Sequence, residues 1–230
     1  MRIVAIIPAL NEADAIGKVV AEIPRDLIDE IIVVDNGSTD ATAAVARDAG
    51  ARVVGQPERG YGAASMAGVD AAPDADIYVF MDGDHSDVPA RLTDLIEPIR
   101  RDEADVVFGV RAGNVERGAM LWHQRTGNIF MTWLIRRASG RPIHDLPSLK
   151  AVRATTLRSF ELRERTHGWP AELVTSAALS GARILEIETG YRRRIGTSKV
   201  SGSLRGSALA AYRANAAIVK VMLKYRRRRG

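Results

Sequence analysis

The amino-acid sequence predicts an α/β protein with a mostly parallel sheet flanked by helices. Short β-branched runs at 2–7, 30–34, 76–81 and 105–109 are each followed by polar residues and, over most of this stretch, by a helical pattern. The polar residues gather after the ends of the runs, where parallel sheets bind ligands. The 230 residues, 46% of them hydrophobic, suffice for the core of one such domain.

The predicted helices carry recognisable end signals. Asp40 precedes ATAAVARDAG, whose Gly50 suits a helix C-terminus, and Asp87-Val88-Pro89 opens a helix that runs to Ile99. Beyond residue 112 the alternation stops, and we predict an amphipathic helix over 119–137, a strand near 183–187 and a last helix over 204–225. The expected division is a main domain over 1–202 and a basic amphipathic helix over 203–230.

Composition excludes several classes of protein. Without cysteine, a disulfide framework, a thiolate metal site and a cysteine nucleophile are impossible. The apolar N-terminus is interrupted by Pro8, Asn11 and Glu12, so we expect no secretory signal and a cytoplasmic protein. We also expect no spanning helix, since no window of ~18 apolar residues exists. The net charge of +5 suits a phosphorylated substrate or anionic lipid, and without interleaved aromatic residues we expect no nucleic acid partner.

Two carboxylates, Asp82 and Asp84, follow the strand IYVF and are separated by Gly83. Both can reach one hard cation, while the glycine lets a ligand approach the backbone. Mg²⁺ or Mn²⁺ bridging a diphosphate is the natural occupant of such an oxygen-rich site. A solvated acidic turn is the alternative.

Three further tracts precede this pair in order: PALNE at 8–12, VDNGSTD at 34–40 and GYGAA at 60–64. Together the motifs resemble family 2 glycosyltransferases of the glycosyltransferase A fold, in particular the dolichyl-phosphate mannose or glucose synthase-like branch. The resemblance extends from Ile3 to about Lys199. It implies a catalytic domain over 1–202 that transfers a sugar, with inversion, from a nucleotide diphosphate sugar to a polyprenyl phosphate.

The resemblance also implies a nucleotide site, formed by Pro8, Leu10, Glu12, Val34, Asp35, Asn36, Gly60, Ala64, Asp82 and Gly83. Helix capping and turn chemistry are the alternatives for Glu12 and Asp35. Many relatives carry a second Asp at the position of Asn36, and an amide also donates hydrogen bonds, so we favour UDP over GDP without fixing the base.

For the metal, the resemblance implies Asp82 and Asp84, with Asp84 expected to be the direct ligand. Relatives often place a third ligand where this chain has Ser86. Serine is a poorer ligand, so His85, Asp87 or water is the expected completion. A packed ring and a helix N-cap are the alternatives for His85 and Asp87.

Catalytic residues implied by the resemblance form two groups. The first binds anions and comprises Arg111, Arg193, Arg194, Ser198 and Lys199; a solvated basic loop is the alternative for the last four.

The second group comprises Asp145, expected to position the acceptor, and Glu172, which lies near where relatives keep a catalytic base. Ser148 is a further phosphate contact in this interpretation, although its tract lacks the Gly and Phe that the branch shows. A charge at a helix N-terminus is the alternative for Glu172.

The acceptor decides whether a base is needed. A phosphate monoester, whose second pKa is about 6, is already an anionic nucleophile at neutral pH. A hydroxyl acceptor would need Asp145 or Glu172 as base. An alternative from another class of function is a catalytically silent, membrane-associated scaffold protein. A nicotinamide-dependent oxidoreductase is excluded because PALNEADAIG lacks the glycine fingerprint. A nucleotidyltransferase would need a Gly-rich loop at the same place.

Both C-terminal helices bear on membrane association. The helix at 119–137, with Trp122 and Trp133, resembles the interface helix of the branch, although a helix packed on the core has the same pattern. The last helix carries the stripe Leu209, Tyr212, Ala216, Val219 and Leu223 beside basic residues. It suits an anionic lipid surface or pairing with a second copy. We therefore expect peripheral association with the inner face of the membrane.

Overall fold

The computed structural model describes residues 1–120, 122–197 and 204–229. Its strands form one sheet in the order β3-β2-β1-β4-β6-β5-β7. The strands are β1 (Ile3–Ala9), β2 (Glu30–Asp35), β3 (Arg52–Gly55), β4 (Ile77–Phe80), β5 (Val106–Val110), β6 (Lys150–Arg153) and β7 (Ile184–Glu188). The helices are α1 (Ala13–Glu22), α2 (Thr42–Asp48), α3 (Tyr61–Ala71), α4 (Leu92–Arg100), α5 (Trp122–Ser139), α6 (Ala154–Ser159), α7 (Trp169–Ser180) and α8 (Leu204–Arg229).

The mostly parallel sheet predicted from the sequence is confirmed. Among the seven strands only β6 runs antiparallel to its neighbours, β4 and β5. Two strands were not predicted, β3 and β6. Each is four residues long and has only two consecutive apolar residues, which is too short a run to indicate a strand. The helix predicted up to Ile99 begins with a 3₁₀ turn, Pro89–Arg91, and continues as α4.

Two apolar layers cover the sheet. One lies between the sheet and helices α1 and α4, and the other between the sheet and helices α3, α7 and α8. Strand residues alternate between the layers, since successive side chains point to opposite faces: Ile3, Ala5 and Ile7 lie in the first, Val4 and Ile6 in the second. All five are fully buried, so the strand that leads to the site edge is packed between two apolar layers.

Helix α8 packs on α7 and belongs to the second layer, through the buried residues Ala214, Ala217, Ile218 and Val221. The predicted boundary at residue 202 lies outside the described residues and stays a prediction. Within the described part of the chain, no helix is both long enough and apolar enough to cross a membrane.

Candidate active site

The carboxyl ends of β1, β2 and β4 meet at one edge of the sheet. Ala9 in β1 pairs with Asp35 in β2, and Ile6 pairs with Phe80 in β4, so Asp82 follows β4 near the level at which β1 ends. A cavity of about 290 Å³ opens here. Its lining includes these predicted nucleotide-binding residues: Pro8, Leu10, Glu12, Asn36, Gly60, Ala64, Asp82 and Gly83.

The two remaining members of that predicted set do not line the cavity. Val34 is fully buried in the apolar layer beneath α3, so its side chain is not available to a nucleobase. The carboxylate of Asp35 accepts a hydrogen bond from the backbone N–H of Ser38 at 2.9 Å, the turn role that was the alternative for this residue. Val34 is therefore corrected as a side-chain contact, because apolar layers cover both faces of β2.

Asn36 lines the cavity, yet its amide is used by the protein itself. Its Nδ2 donates to the carbonyls of Gln56 and Glu58, at 2.9 and 2.7 Å, and its Oδ1 accepts from the N–H of Gly60 at 2.7 Å. An aspartate could not donate to these two carbonyls. The amide thus holds the loop before α3. These hydrogen bonds explain why residue 36 is an asparagine without reference to the nucleobase.

Small residues at the start of α3 are explained by a backbone contact. A Cβ at Gly60 or at Gly62 would lie 2.2 Å from a backbone oxygen of the loop 163–168. Gly60 also has φ +149°, a conformation that favours glycine. The close approach brings into the cavity wall two residues that the sequence interpretation missed, Thr166 and His167.

The acidic pair is part of a buried polar cluster. Tyr61 donates to Asp82 at 3.0 Å, the carboxylate of Asp87 accepts from the N–H of Asp82 at 2.8 Å, and Ser86 donates to Asp84 at 2.5 Å. Burial, followed by the neighbouring carboxylates, raises the pKa of Asp82 and of Asp87. A concentration of negative charge in this position attracts a cation.

Arg194 supplies positive charge to this cluster. Its guanidinium donates to Glu12 at 2.9 Å and lies 3.2 Å from Asp84 on its other side. No group of three or more acidic or histidine side chains suited to a metal occurs among the described residues. Mg²⁺ and Mn²⁺ are nevertheless bound in many sites by one or two carboxylates together with substrate phosphates and water. Asp82 and Asp84 fit that mode.

The residues expected to complete the metal shell have other partners. His85 lies 2.8 Å from a carboxylate oxygen of Glu22, and Asp87 accepts a hydrogen bond from Ser148 at 2.7 Å. Asp87 makes no side-chain cap of the following turn. Ser148, expected to contact a phosphate, hydrogen-bonds to the acidic cluster, and His85, Asp87 and water all stay predicted candidates for the shell.

Arg111 and Asp145 form a two-pronged ion pair. Nε and Nη2 of Arg111 donate to the two carboxylate oxygens at 2.9 and 2.6 Å, and the backbone N–H of Arg111 adds a bond of 2.8 Å. Burial opposes ionisation of Asp145, but the hydrogen bonds and charge of Arg111 outweigh it and hold the pKa of this carboxyl below its usual value. Each side chain is committed to the other rather than directed into the cavity.

Lys150 is a buried cation that the interpretation of its tract overlooked. It begins β6, has no exposed surface, and its Nζ has no hydrogen-bond partner within the part of the chain that the structure describes. The ammonium lies 5.6 Å from the ring centroid of Trp169. Burial lowers its pKa to about 8, against the opposing charges of Asp82 and Asp87. The strand KAVR is charged at both ends and lacks an apolar run, so no local signal in the sequence marks Lys150 as buried.

The other predicted catalytic residues are placed as follows. Nε of Arg193 donates to the carbonyl of Arg117 at 2.8 Å. The carboxylate of Glu172 accepts from the backbone N–H groups of Arg163 and Glu164 at 2.8 to 3.1 Å, and Glu172 is absent from the cavity lining. Ser198 and Lys199 lie outside the described residues. Glu172 thus holds a loop from the first turn of α7.

A parallel sheet with an acidic pair after its central strand and a cavity over its carboxyl edge is the arrangement of glycosyltransferases of the glycosyltransferase A fold. The profile of glycosyl transferase family 2 matches residues 4–160. The chain therefore belongs to glycosyl transferase family 2, and the resemblance stated from the sequence is confirmed.

Sequence relatives cover nearly the whole chain. An uncharacterized glycosyltransferase of Mycobacterium tuberculosis is 38% identical over 209 residues, which is 90% of this chain and 94% of that protein. A dolichyl-phosphate hexose transferase of Haloferax volcanii is 37% identical over 95% of this chain and 92% of its own. An undecaprenyl-phosphate mannosyltransferase of Micrococcus luteus is 31% identical over 91% of each. These names agree with the predicted polyprenyl-phosphate branch.

Solved structures confirm the fold. The glucosyl-3-phosphoglycerate synthase of Mycobacterium tuberculosis, in complex with phosphoglyceric acid, superimposes with a TM-score of 0.74 and 25% identity, over 96% of this chain and 80% of that one. A complex of the same synthase with Mn²⁺, UDP-glucose and glycerol 3-phosphate gives a TM-score of 0.74 at 24% identity, over the same shares of the two chains. The second likeness is evidence for the fold alone.

Proposed function

We propose that this glycosyltransferase moves a sugar, with inversion, from a UDP-sugar to a polyprenyl phosphate at a membrane surface. The observation that carries the choice of acceptor is the state of the two carboxylates expected to act as a base. Asp145 is held by Arg111 and Glu172 by backbone N–H groups. A hydroxyl acceptor would need one of them free, whereas a phosphate monoester needs no base.

The donor occupies the cavity in this proposal. Asp82 and Asp84 hold Mg²⁺ or Mn²⁺, which supplies charge stabilisation for the departing nucleoside diphosphate. Pro8, Leu10 and Asn36 line the nucleoside end, and Gly83 leaves room for the diphosphate. UDP is kept as the favoured nucleotide from the sequence resemblance, and the transfer assay tests it against GDP. The undecaprenyl-phosphate and dolichyl-phosphate relatives support the acceptor.

The arginines supply the remaining electrostatics. In this proposal Arg193, with Lys199 beyond the described residues, holds the acceptor phosphate against the sugar. Arg194, which lines the donor cavity, binds the phosphates of the donor. Arg111 was expected in the same role. Its ion pair with Asp145 gives it a structural role at the end of β5 in this proposal, without contact to an anion.

A transfer assay tests the acceptor. Radiolabelled UDP-glucose, UDP-galactose, UDP-N-acetylglucosamine and GDP-mannose are offered with a short-chain polyprenyl phosphate or with the matching alcohol. We expect product with the phosphate only, and a loss of ~10²-fold or more in Arg193→Ala through lost charge stabilisation. Arg101→Ala, on the exposed end of α4, is the matched control and should retain activity. Equal rates with the alcohol would refute the proposed acceptor.

Two exposed apolar stripes support membrane association. On α5, Trp122, Ile129 and Trp133 are 52 to 75% exposed, and on α8 the predicted stripe faces outward, with Leu209, Tyr212, Val219 and Leu223 46 to 72% exposed. Basic residues follow both stripes near the helix ends, at Arg136 and Arg137 and at 226–229. Apolar stripes flanked by basic residues suit an anionic membrane surface.

Flotation with liposomes tests this contact. We expect the protein to float with anionic vesicles, less at high salt, and Trp133→Ser to weaken flotation. Leu185→Ser, an exposed apolar residue on β7, is the matched control and should leave flotation unchanged. Full flotation of the Trp133 variant would contradict the proposed surface. Concentration-dependent dimerisation that α8 truncation abolishes would instead support pairing of the protein through its C-terminal helix. A silent scaffold would float but would release no UDP from donor.

A further inference from the structure

Arg194 occupies a position that conflicts with cation binding. Its guanidinium joins Glu12 and Asp84, at 2.9 and 3.2 Å, inside the cavity. The side chain of Asp84 is 8% exposed and that of Arg194 is 30% exposed, so the pair is largely shielded from water. The third nitrogen of the guanidinium, Nε, is buried and has no hydrogen-bond partner among the described residues. The arginine is thus held by carboxylates but incompletely satisfied.

The backbone around Arg194 is fixed independently of its side chain. The N–H of Ile195 donates to the carbonyl of Asp84, and the N–H of Arg192 donates to the carbonyl of Ser86, each at 2.9 Å. The segment therefore stays beside the acidic pair when the guanidinium moves. A rotation of the long, flexible side chain is sufficient to carry its charge from Asp84 to another anion in the same cavity.

A guanidinium and a divalent cation cannot share the same carboxylate oxygen at close range, because both are positive and the site is shielded from solvent. We propose that Arg194 occupies the place of the cation in the unliganded protein, and that a cation and a nucleoside diphosphate together displace it from Asp84 onto the diphosphate. The cation then binds weakly alone and tightly with the nucleotide. This inference rests on the proposed function, in which Asp84 is a metal ligand.

Loss of the Arg194 guanidinium should change two binding equilibria in opposite directions, that of Mn²⁺ alone and that of UDP. Removing the guanidinium frees Asp84, so Arg194→Gln should bind Mn²⁺ alone more tightly than the native protein, by about tenfold. The same change removes a donor from the diphosphate, so UDP should bind more weakly when Mn²⁺ is saturating. The coupling between Mn²⁺ and UDP, which is reciprocal, falls accordingly.

Titration calorimetry measures both equilibria, with Mn²⁺ added in the presence and absence of UDP. Arg192→Gln is the matched control, since it removes the same charge at a position two residues from Arg194. The side chain of Arg192 pairs with Glu22 and does not line the cavity. Arg192→Gln should leave the affinity for Mn²⁺ alone unchanged. Arg194→Lys keeps the charge but replaces the forked guanidinium with a single ammonium. Its affinity for Mn²⁺ alone should fall between those of the native protein and Arg194→Gln.

Unchanged or weaker binding of Mn²⁺ alone by folded Arg194→Gln would overturn the inference, and so would an equal gain in Arg192→Gln, which would indicate general electrostatics. Thermal melts establish that each variant is folded. Asp84→Asn separates the two levels of the argument. If it leaves Mn²⁺ binding with UDP intact, the proposed metal site is wrong; if it abolishes binding while Arg194→Gln shows no gain, only the displacement is wrong.

Discussion

The two sides of the site edge hold their polar groups in different ways. On the loop side, between Asp35 and Gly60, side chains bond to backbone groups, as Asn36 does with two carbonyls and one N–H. On the arginine side, formed by Arg111, Asp145 and residues 192–194, the contacts include ion pairs between side chains. Backbone contacts set a shape, whereas an ion pair that lines the cavity can exchange one partner for a charged ligand.

The number of hydrogen bonds between the partners and the position of the arginine relative to the cavity separate the ion pair that can exchange from the pair that cannot. The side chain of Asp145 is 7% exposed and receives both prongs of Arg111 together with backbone N–H groups. Arg194 is attached at only two nitrogens and is 30% exposed. We therefore expect the first pair to behave as part of the fold and the second as part of the ligand site.

The largest effect is expected for Asp145→Asn, which leaves Arg111 buried without its counter-charge. Loss of one partner from a buried pair typically costs about 3–5 kcal/mol at neutral pH. Because the folded pKa of Asp145 lies below the ordinary value of 3.8, the contribution is present above that value and is lost as the pH falls through the folded pKa. The stability difference should thus shrink below about pH 4.

Urea denaturation between pH 3 and pH 7 measures this difference. Asp102→Asn is the control, since the side chain of Asp102 is 73% exposed in its pair with Arg183, and such pairs contribute about 0–1 kcal/mol. If Asp145→Asn were as stable as the native protein at pH 7, the distinction between the two kinds of ion pair would fail.

A smaller effect is expected for Asn36→Asp on the loop side. The new carboxylate would face the carbonyls of Gln56 and Glu58 without a hydrogen to donate, at a cost of about 1–3 kcal/mol. We expect weaker binding of UDP and GDP alike, because the loop and not the base contact is lost. Calorimetry with both nucleotides and a denaturation curve measure this.

Asn11→Asp is the matched control for that substitution. Asn11 uses its side-chain oxygen to accept a hydrogen bond from the N–H of Thr39 at 2.8 Å, which an aspartate can also do. Its stability should be close to that of the native protein. A fully stable Asn36→Asp protein whose preference moves from UDP to GDP would show that Asn36 reads the base after all.

The same comparison explains what could be predicted from the sequence. The strand-end tracts were identified because they are local: a β-branched run followed by polar residues indicates a site edge without knowledge of distant contacts. Long-range contacts were not accessible in this way. Arg194 meets Glu12 across 182 positions, and Ser148 meets Asp87 across 61. The roles of such residues depend on which partner the fold brings to them.

Errors within the local motifs also have physical causes. Val34 was included as part of the end of β2, but its side chain lies in the buried apolar layer beneath α3. Lys150 was given no role from the sequence, although it begins a buried strand between β4 and β5. In both cases the sheet decides which way a side chain points, and the register of that sheet is not visible in a single short run.

The smallest effect is expected for Glu172→Gln, which tests whether any carboxylate acts as a base. Glutamine keeps one acceptor oxygen for the backbone N–H groups of the loop 163–168, so the stability loss should be about 1 kcal/mol. A base contributes about 10²–10⁴-fold to rate, and loss of that factor would show directly in kcat. We expect instead that kcat with a polyprenyl phosphate changes by less than about threefold, since the acceptor is already ionised. The rate should also follow ionisation of the acceptor phosphate, rising through about pH 6 in the native protein and the variant alike. A collapse of kcat in folded Glu172→Gln would show that Glu172, in the first turn of α7, acts as a base, as a hydroxyl acceptor would require.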